Sequence, residues 1–236
     1  MLDLTRNLLV TKGATDNLNN EIKRAEQSFV NLLKSRPELF EKKPNITVES
    51  EQKFEHIPLL FDGKRILLNG RLDRIEIDDS TKKITVVDWK TGKIDNKIDK
   101  FPYRNKNGNW SGEYKLWQYE LQMYFYRILL ENSLEFKRRY LDNGYIFTPA
   151  RLEFIEGDLT PEAQPVVKIV QFLPEKMKNI YRMIEHLSNQ VNELSFPDIW
   201  PDPQSGVSQI MEFIKEELQH DNYSNNMKFD KNNIMC

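Results

Sequence analysis

The order of predicted elements indicates an α/β (α+β) domain in which helices accompany a central sheet. A helical pattern comes first, three β-type runs follow it, and a second strong helical pattern precedes further strands and helices. The chain has 236 residues, of which 39% are hydrophobic and 30% are charged. This length and composition suffice for one substantial domain with its own core, or for two small domains at most.

The N-terminal half contains one predicted helix and three predicted strands. The helix begins at Thr15 or Asp16, either of which can cap it, and continues to about Ser35 with apolar residues at helical spacing. Asp62 and Gly63 predict a turn between the first two strands. The three β-type runs cover residues 46–54, 65–77 and 83–89.

The C-terminal half combines shorter strands with helices. A long polar connection over residues 93–112 leads to a strongly apolar helix over residues 113–131. The further predicted strands cover residues 144–148, 152–155 and 166–172. The further predicted helices cover residues 174–194 and 207–218.

The sequence contains no internal repeat and no clear domain boundary before Phe196. We expect a principal domain over residues 1–195 and a C-terminal helical extension, packed on the same domain, over residues 196–219. The asparagine-rich residues 220–236 predict a disordered tail.

Composition excludes several classes of protein and site. The single cysteine, Cys236, cannot form an internal disulfide, a zinc cluster or an iron–sulfur site. No apolar run approaches the length of a membrane span, and the N-terminus lacks the features of a signal peptide. The net charge of −2 excludes a uniformly basic binder of nucleic acid. These features predict a cytoplasmic protein that has no membrane partner.

Two acids and a lysine converge in the predicted hairpin over residues 70–92. Asp73 lies in the first run of this hairpin, whereas Asp88 and Lys90 lie at the end of the second. Side chains alternate faces along a strand, so Asp88 and Lys90 point the same way and Trp89 points the other way. The hairpin brings Asp73 across from them. A surface salt bridge explains most isolated Asp-x-Lys patterns, but the second acid on the preceding run favours a divalent-metal site.

This arrangement suits the hydrolysis of a phosphodiester. A divalent cation neutralises the phosphate, lowers the pKa of a bound water and stabilises the leaving oxygen. Mg²⁺ prefers oxygen ligands, which Asp73, Asp88 and the backbone carbonyl of Trp89 can supply. Lys90 can orient or deprotonate the attacking water, or stabilise charge on the phosphate. The predicted cofactor is therefore Mg²⁺ or Mn²⁺.

Four motifs, in the expected order, resemble those of the RecB-like branch of the PD-(D/E)XK nuclease superfamily. They are EQKF at Glu51–Phe54, GRLDRIE at Gly70–Glu76, VVDWKTG at Val86–Gly92, and QMYFY at Gln122–Tyr126, where Met replaces the usual Leu. The resemblance implies a restriction-endonuclease-like core of the order αβββαβ. In such a core a central mixed β-sheet is flanked by helices, and here additional helices follow at the C-terminal end.

The resemblance implies roles for individual residues of these motifs. It implies that Asp73 and Asp88 ligate the metal and that Lys90 is catalytic. It also implies a supporting acid at Glu51, for which Glu49 on the same strand face is the alternative.

One motif of the branch is incomplete in this chain. Many members have a G-x-x-x-H-x-x-x-E motif on the first helix, and its histidine reaches the metal. Asn17 stands in the histidine position here, so Asn17 is a weak candidate ligand, with Glu21 or Asp16 as its substitute. Some relatives also carry cysteines that bind an iron–sulfur cluster, and with Cys236 alone no such cluster is expected.

Candidate DNA contacts come from the second helix and from basic residues. Gln118, Gln122 and Tyr126 are four residues apart and form one stripe, and the resemblance implies that Gln122 and Tyr126 face the substrate path. Basic and aromatic residues alternate over residues 93–110, which suits a single strand held by charge and stacking. The basic candidates, for which a solvated polar face is the alternative, are Arg74, Lys93, Arg104, Lys106 and Arg138.

The sequence therefore predicts a Mg²⁺- or Mn²⁺-dependent deoxyribonuclease. The preferred hypothesis is an exonuclease that acts on single-stranded DNA or duplex ends in recombination, repair or phage-type DNA processing, with a helicase or recombination protein as a candidate partner. Two alternatives stay open. One is a non-catalytic DNA-binding or scaffold domain of a helicase–nuclease complex, which Asn17 motivates. The other is an endonuclease of restriction or junction-resolving type.

Overall fold

The computed structural model describes residues 16–37, 41, 43–61, 63–91, 94, 103–104, 110–111, 114–156 and 165–193. The helices are α1 (Asp16–Ser35), α2 (Tyr114–Asn132), α3 (Leu134–Arg139) and α4 (Pro174–Glu193), with a 3-10 turn at Leu141–Asn143. The strands are β1 (Ile46–Phe61), β2 (Lys64–Asp78), β3 (Lys83–Lys90), β4 (Tyr103–Arg104), β5 (Trp110–Ser111), β6 (Ile146–Phe147), β7 (Ala150–Phe154) and β8 (Val166–Val170). The chain divides into two compact units, Met1–Phe172 and Leu173–Cys236, and α4 belongs to the second.

A mixed sheet with the strand order β1-β2-β3-β7-β8 forms the framework of the first unit. Neighbouring strands on this path run antiparallel, except that β3 and β7 run parallel. Two parallel strands need a long crossover connection, and α2 lies within it. The short strand β6 also pairs with β3, and β4 pairs with β5 in a separate ribbon. The mixed sheet with accompanying helices confirms the predicted fold class.

The helix α2 forms the centre of the hydrophobic core. It contains no glycine or proline and is apolar over most of its circumference, which is typical of a buried helix. Its fully buried side chains include Leu116, Met123, Tyr124, Ile128, Leu129 and Leu130. The sheet contributes Ile75, Ile77, Ile84 and Val86, which are also fully buried.

The strand β2 and the helix α2 approach each other closely at Gly70. A Cβ atom at this position would lie 2.3 Å from Leu129 Cδ1, far inside the ~3.5–4.0 Å of an ordinary carbon–carbon contact. A larger residue here would require Leu129 or the helix to shift. Glycine thus permits the close approach of the strand that carries Asp73 and the helix that carries Gln122 and Tyr126.

The strand β1 is longer than the sequence predicts. It continues past Phe54 to Phe61 and pairs with β2, with a register shift between Phe54 and Ile57. His56 has a φ of +56° within this irregularity, which interrupts the alternation on which the prediction depends. Pro58 is compatible with the strand because β1 lies at the edge of the sheet.

The other predicted elements in the described residues agree with the structure to within a few residues. The predicted helix over residues 207–218, the tail and the boundaries at residues 195 and 219 lie outside the described residues and stay predictions. In the part of the chain that is described, no helix is long and apolar enough to cross a membrane.

Candidate active site

Asp73 and Asp88 lie side by side on β2 and β3. The antiparallel register pairs Arg74 with Val87, and the next step along both strands brings Asp73 opposite Asp88. The backbone N–H of Trp89 donates a hydrogen bond of 3.1 Å to Asp73 Oδ2. This bond fixes the Asp73 carboxylate at the point where β3 ends, so the two acids converge.

Lys90 extends from the same face of β3 as Asp88. Its Nζ lies 2.6 Å from Asp88 Oδ2 and donates a hydrogen bond of 2.8 Å to Gln122 Oε1. Gln122 Nε2 donates to Tyr126 Oη at 2.5 Å, and Tyr126 Oη donates over 3.4 Å to Asp88 Oδ1. Asp88, Lys90, Gln122 and Tyr126 therefore form a closed polar ring that connects α2 to β3.

The carboxylate of Asp88 is buried, with 1% of the residue exposed. Burial raises the pKa of Asp88 above its usual value, and the charge of Asp73 acts in the same direction, whereas Lys90 lowers it. Burial and the charge of Asp88 also raise the pKa of Tyr126, so its phenol stays protonated and can donate. Two carboxylates beside one ammonium give the site a net negative charge, which favours a bound cation.

Tyr119, which none of the sequence motifs includes, also faces the site with its ring. The ring centroid lies 4.6 Å from Lys90 Nζ. Tyr119, Gln122 and Tyr126 are spaced i, i+3 and i+7, so they share one face of α2. Four-residue steps alone select Gln118, whose side chain is exposed. A stripe of alternating three- and four-residue steps is the sequence signal that indicates Tyr119.

Arg74 extends from the opposite face of the sheet from Asp73, because successive side chains alternate along β2. Its Nε donates a hydrogen bond of 2.9 Å to Glu76 Oε1, and its guanidinium lies over the Trp89 ring. Arg151 pairs with the same glutamate at 2.8 Å. Arg74 thus belongs to an ion-pair network on the other side of the sheet, and the structure does not bring it together with the two acids.

The described contacts connect neither candidate for the supporting acid with the polar ring. Glu51 lies between Ser50 and Gln52, which pair with Arg74 and Leu72 on β2. Its backbone has a φ of +56°, and its exposed side chain pairs with Arg71. Glu49 Oε1 accepts a hydrogen bond of 3.0 Å from Tyr140 Oη. The supporting role implied for Glu51 therefore stays a prediction.

The N-terminal part of α1 lies towards the same end of the sheet as the two acids. Glu21 pairs with Arg24 at 2.8 Å, and Arg24 pairs with Glu156 at 3.3 Å. The residue before Glu156 donates its backbone N–H to the Lys90 carbonyl. Glu21 is thus held in an ion pair near this end of the sheet, whereas the side chain of Asn17 lies outside the description.

The remaining candidates for DNA binding either are exposed or lie outside the described residues. Gln118 on α2 and Arg138 on α3 have exposed side chains. Lys93, Lys106 and the side chain of Arg104 lie outside the part that the structure describes, so their contacts with DNA stay predictions.

A model of the PD-(D/E)XK nuclease superfamily matches residues 4–206 of the chain. The chain belongs to this nuclease superfamily. Membership indicates a hydrolase that binds and cleaves nucleic acid, and the matched residues include both acids and the whole polar ring. A search of curated proteins gave no significant match.

The donor set of the site fits a divalent cation. Asp73 and Asp88 offer carboxylate oxygens, which are the ligands that Mg²⁺ and Mn²⁺ prefer. Within the described residues, no group of three or more His, Cys, Asp and Glu side chains could hold a metal ion. In that part of the chain the two acids would therefore be complemented by backbone oxygens and water.

Proposed function

We propose that the protein is a Mg²⁺- or Mn²⁺-dependent deoxyribonuclease of the RecB-like branch, and that it acts as an exonuclease in DNA recombination, repair or phage-type DNA processing. The observation that carries the proposal is the meeting of three separate sequence motifs in one site. The acid of GRLDRIE, the acid and lysine of VVDWKTG, and the glutamine and second tyrosine of QMYFY are joined by hydrogen bonds and an ion pair.

Asp73 and Asp88 would hold the cation. When bound, it neutralises the phosphate and lowers the pKa of a coordinated water. The Trp89 carbonyl is suited to add a ligand, because the N–H and C=O of a strand residue point to the same neighbouring strand. The N–H of Trp89 points to Asp73, which supports the same direction for its carbonyl.

Lys90 serves as a hydrogen-bond donor in this proposal. An ammonium offers three donors, and contacts with Asp88 and Gln122 hold the group at the end of β3. A positively charged donor fixed beside the acids stabilises negative charge that develops on a phosphate oxygen, and it orients the attacking water. Tyr126 stays protonated and donates to Asp88, which keeps that carboxylate oriented.

The test is digestion of linear and covalently closed circular DNA, single- and double-stranded, with Mg²⁺ or Mn²⁺ and with EDTA. We expect cleavage of linear DNA that EDTA abolishes. Asp88→Asn and Lys90→Ala should each lower the rate by about 10²- to 10⁴-fold, because the first removes a charged ligand of the cation and the second removes the ammonium that stabilises the reacting phosphate.

Two exposed residues provide matched controls, namely Asp142→Asn and Lys83→Ala. Both should cleave at the wild-type rate. A wild type that is inert with both metal ions would overturn the proposal and favour a non-catalytic scaffold. Efficient cleavage of closed circles would instead favour an endonuclease.

A further inference from the structure

We propose that Tyr119 is a positioning residue that holds the Lys90 ammonium in its working orientation. The proposal rests on the nuclease function proposed above and adds a residue that lies outside all four motifs. Three groups surround the Lys90 ammonium: Asp88 Oδ2 at 2.6 Å, Gln122 Oε1 at 2.8 Å and the Tyr119 ring, whose centroid is 4.6 Å away.

The aromatic ring supplies an attraction that the two oxygen acceptors do not. A cation within about 6 Å of a ring centroid is attracted by the negative face of the ring. Lysine has a flexible four-carbon stem, and the Lys90 side chain is largely buried, with 16% exposed. The Tyr119 ring therefore restricts the movement of the ammonium on one side. Asp88 and Gln122 accept the hydrogen bonds of the ammonium.

The Tyr119 ring is itself supported by a buried aromatic residue of the sheet. It packs against Phe154, with 5.7 Å between the centroids and 59° between the planes. Phe154 is buried and is the partner of Lys90 in the parallel register of β3 and β7. The lysine and the phenylalanine that supports the ring are thus neighbours across the sheet, and the ring contacts both of them.

Substitutions of Tyr119 separate the ring from its hydroxyl. Tyr119→Phe retains the ring and should keep a kcat close to that of the wild type. Tyr119→Leu retains apolar bulk without the π face and should lower kcat by about 3- to 30-fold, which corresponds to the usual strength of such a contact. KM for DNA should change less than kcat, because the residue acts on the reacting groups and not on substrate affinity.

Tyr145→Leu is the matched control. The Tyr145 ring makes a similar contact with Lys82 Nζ, at 4.3 Å, near the turn between β2 and β3. Its loss should lower the melting temperature without lowering kcat. If both leucine variants lower kcat equally, a general loss of stability is the cause and the positioning role is refuted.

NMR of protein labelled in its lysines tests the contact without an activity measurement. Protons above a ring face are shifted upfield, so the Hε signals of Lys90 should be upfield in the wild type and in Tyr119→Phe, and should return to ordinary values in Tyr119→Leu. Unshifted signals in the wild type would disprove the contact. If the wild type shows the upfield shift but cleaves no DNA, the nuclease proposal is overturned. The positioning role of Tyr119 in catalysis is then overturned as well, whereas its contact with Lys90 is established.

Discussion

Replacing Gly70 by alanine tests whether the close approach of β2 and α2 assembles the site. The backbone of Gly70 is not in the left-handed region, so alanine meets no backbone strain and the effect is steric. The new Cβ would lie 2.3 Å from Leu129 Cδ1, an overlap of about 1.2 Å or more relative to an ordinary contact. Leu129 is fully buried, so either its side chain changes rotamer in a filled core or α2 moves away from β2.

The free-energy cost of Gly70→Ala is the cost of overpacking minus the gain from replacing a glycine. Overpacking of this kind typically destabilises by about 1–3 kcal/mol, and an overlap above 1 Å favours the upper part of that range. The gain from replacing glycine within a strand, about 0.5–1 kcal/mol, offsets part of it. We expect Gly70→Ala to lower the free energy of unfolding by about 1.5–2.5 kcal/mol, which corresponds to a melting temperature lower by roughly 3–10 °C.

A double-mutant cycle in urea isolates the steric term. Leu129→Ala alone should cost about 2–5 kcal/mol, and it opens the space that the new Cβ needs. In that background Gly70→Ala should therefore cost nothing further. Gly63→Ala is the control, because Gly63 has a φ of +79° with no atom within 4 Å of the added Cβ. Its cost should be equal in both backgrounds. An additive Gly70–Leu129 cycle, or a neutral Gly70→Ala, would refute the argument.

Two further predictions concern pH. The folded state holds Asp88 with a raised pKa, so the free energy of unfolding of the metal-free wild type includes a term that falls as the pH rises above about 4. Asp88→Asn lacks this term. In EDTA, the melting temperature of Asp88→Asn minus that of the wild type should therefore increase from pH 4 to pH 7. A decrease would contradict the inference that burial raises the pKa of Asp88. Burial and the hydrogen bond to Glu49 raise the pKa of Tyr140 to about 12. Stability should therefore fall as the pH rises from about 10 to 12. Tyr140→Phe should make this fall smaller and leave the part that comes from Tyr126, whose pKa is also raised; an unchanged fall would assign all of it to other groups.

Local patterns explain which parts of the structure could be predicted. The trio of Asp73, Asp88 and Lys90 lies within one hairpin, where strand alternation and a short turn determine the neighbours. The same alternation could have indicated that Arg74, next to Asp73, extends from the other face. The conformation of Glu51 could not be predicted, because a non-glycine residue with φ of +56° leaves no pattern in the sequence.

The position of Tyr119 illustrates a different limit. Helical spacing groups it with Gln122 and Tyr126, but spacing alone does not say which stripe of this helix contacts the end of β3, because apolar residues lie on most of its circumference. That choice depends on how the helix packs against the sheet, and the close approach of Gly70 and Leu129 is one contact of that packing. Such contacts between residues far apart in the sequence leave no local pattern.

The energetics of the polar ring indicate that its charged residues serve a function and do not mainly stabilise the fold. A buried ion pair is commonly no more stabilising than well-packed apolar residues of similar volume, and here burial raises the pKa of Asp88 although Lys90 is only 2.6 Å away. The ammonium therefore compensates incompletely for the buried charge, and the nearby carboxylate of Asp73 adds to the imbalance. A cation that binds only the folded state would stabilise it by mass action. Bound at Asp73 and Asp88, as proposed above, such a cation would offset the excess negative charge of the site.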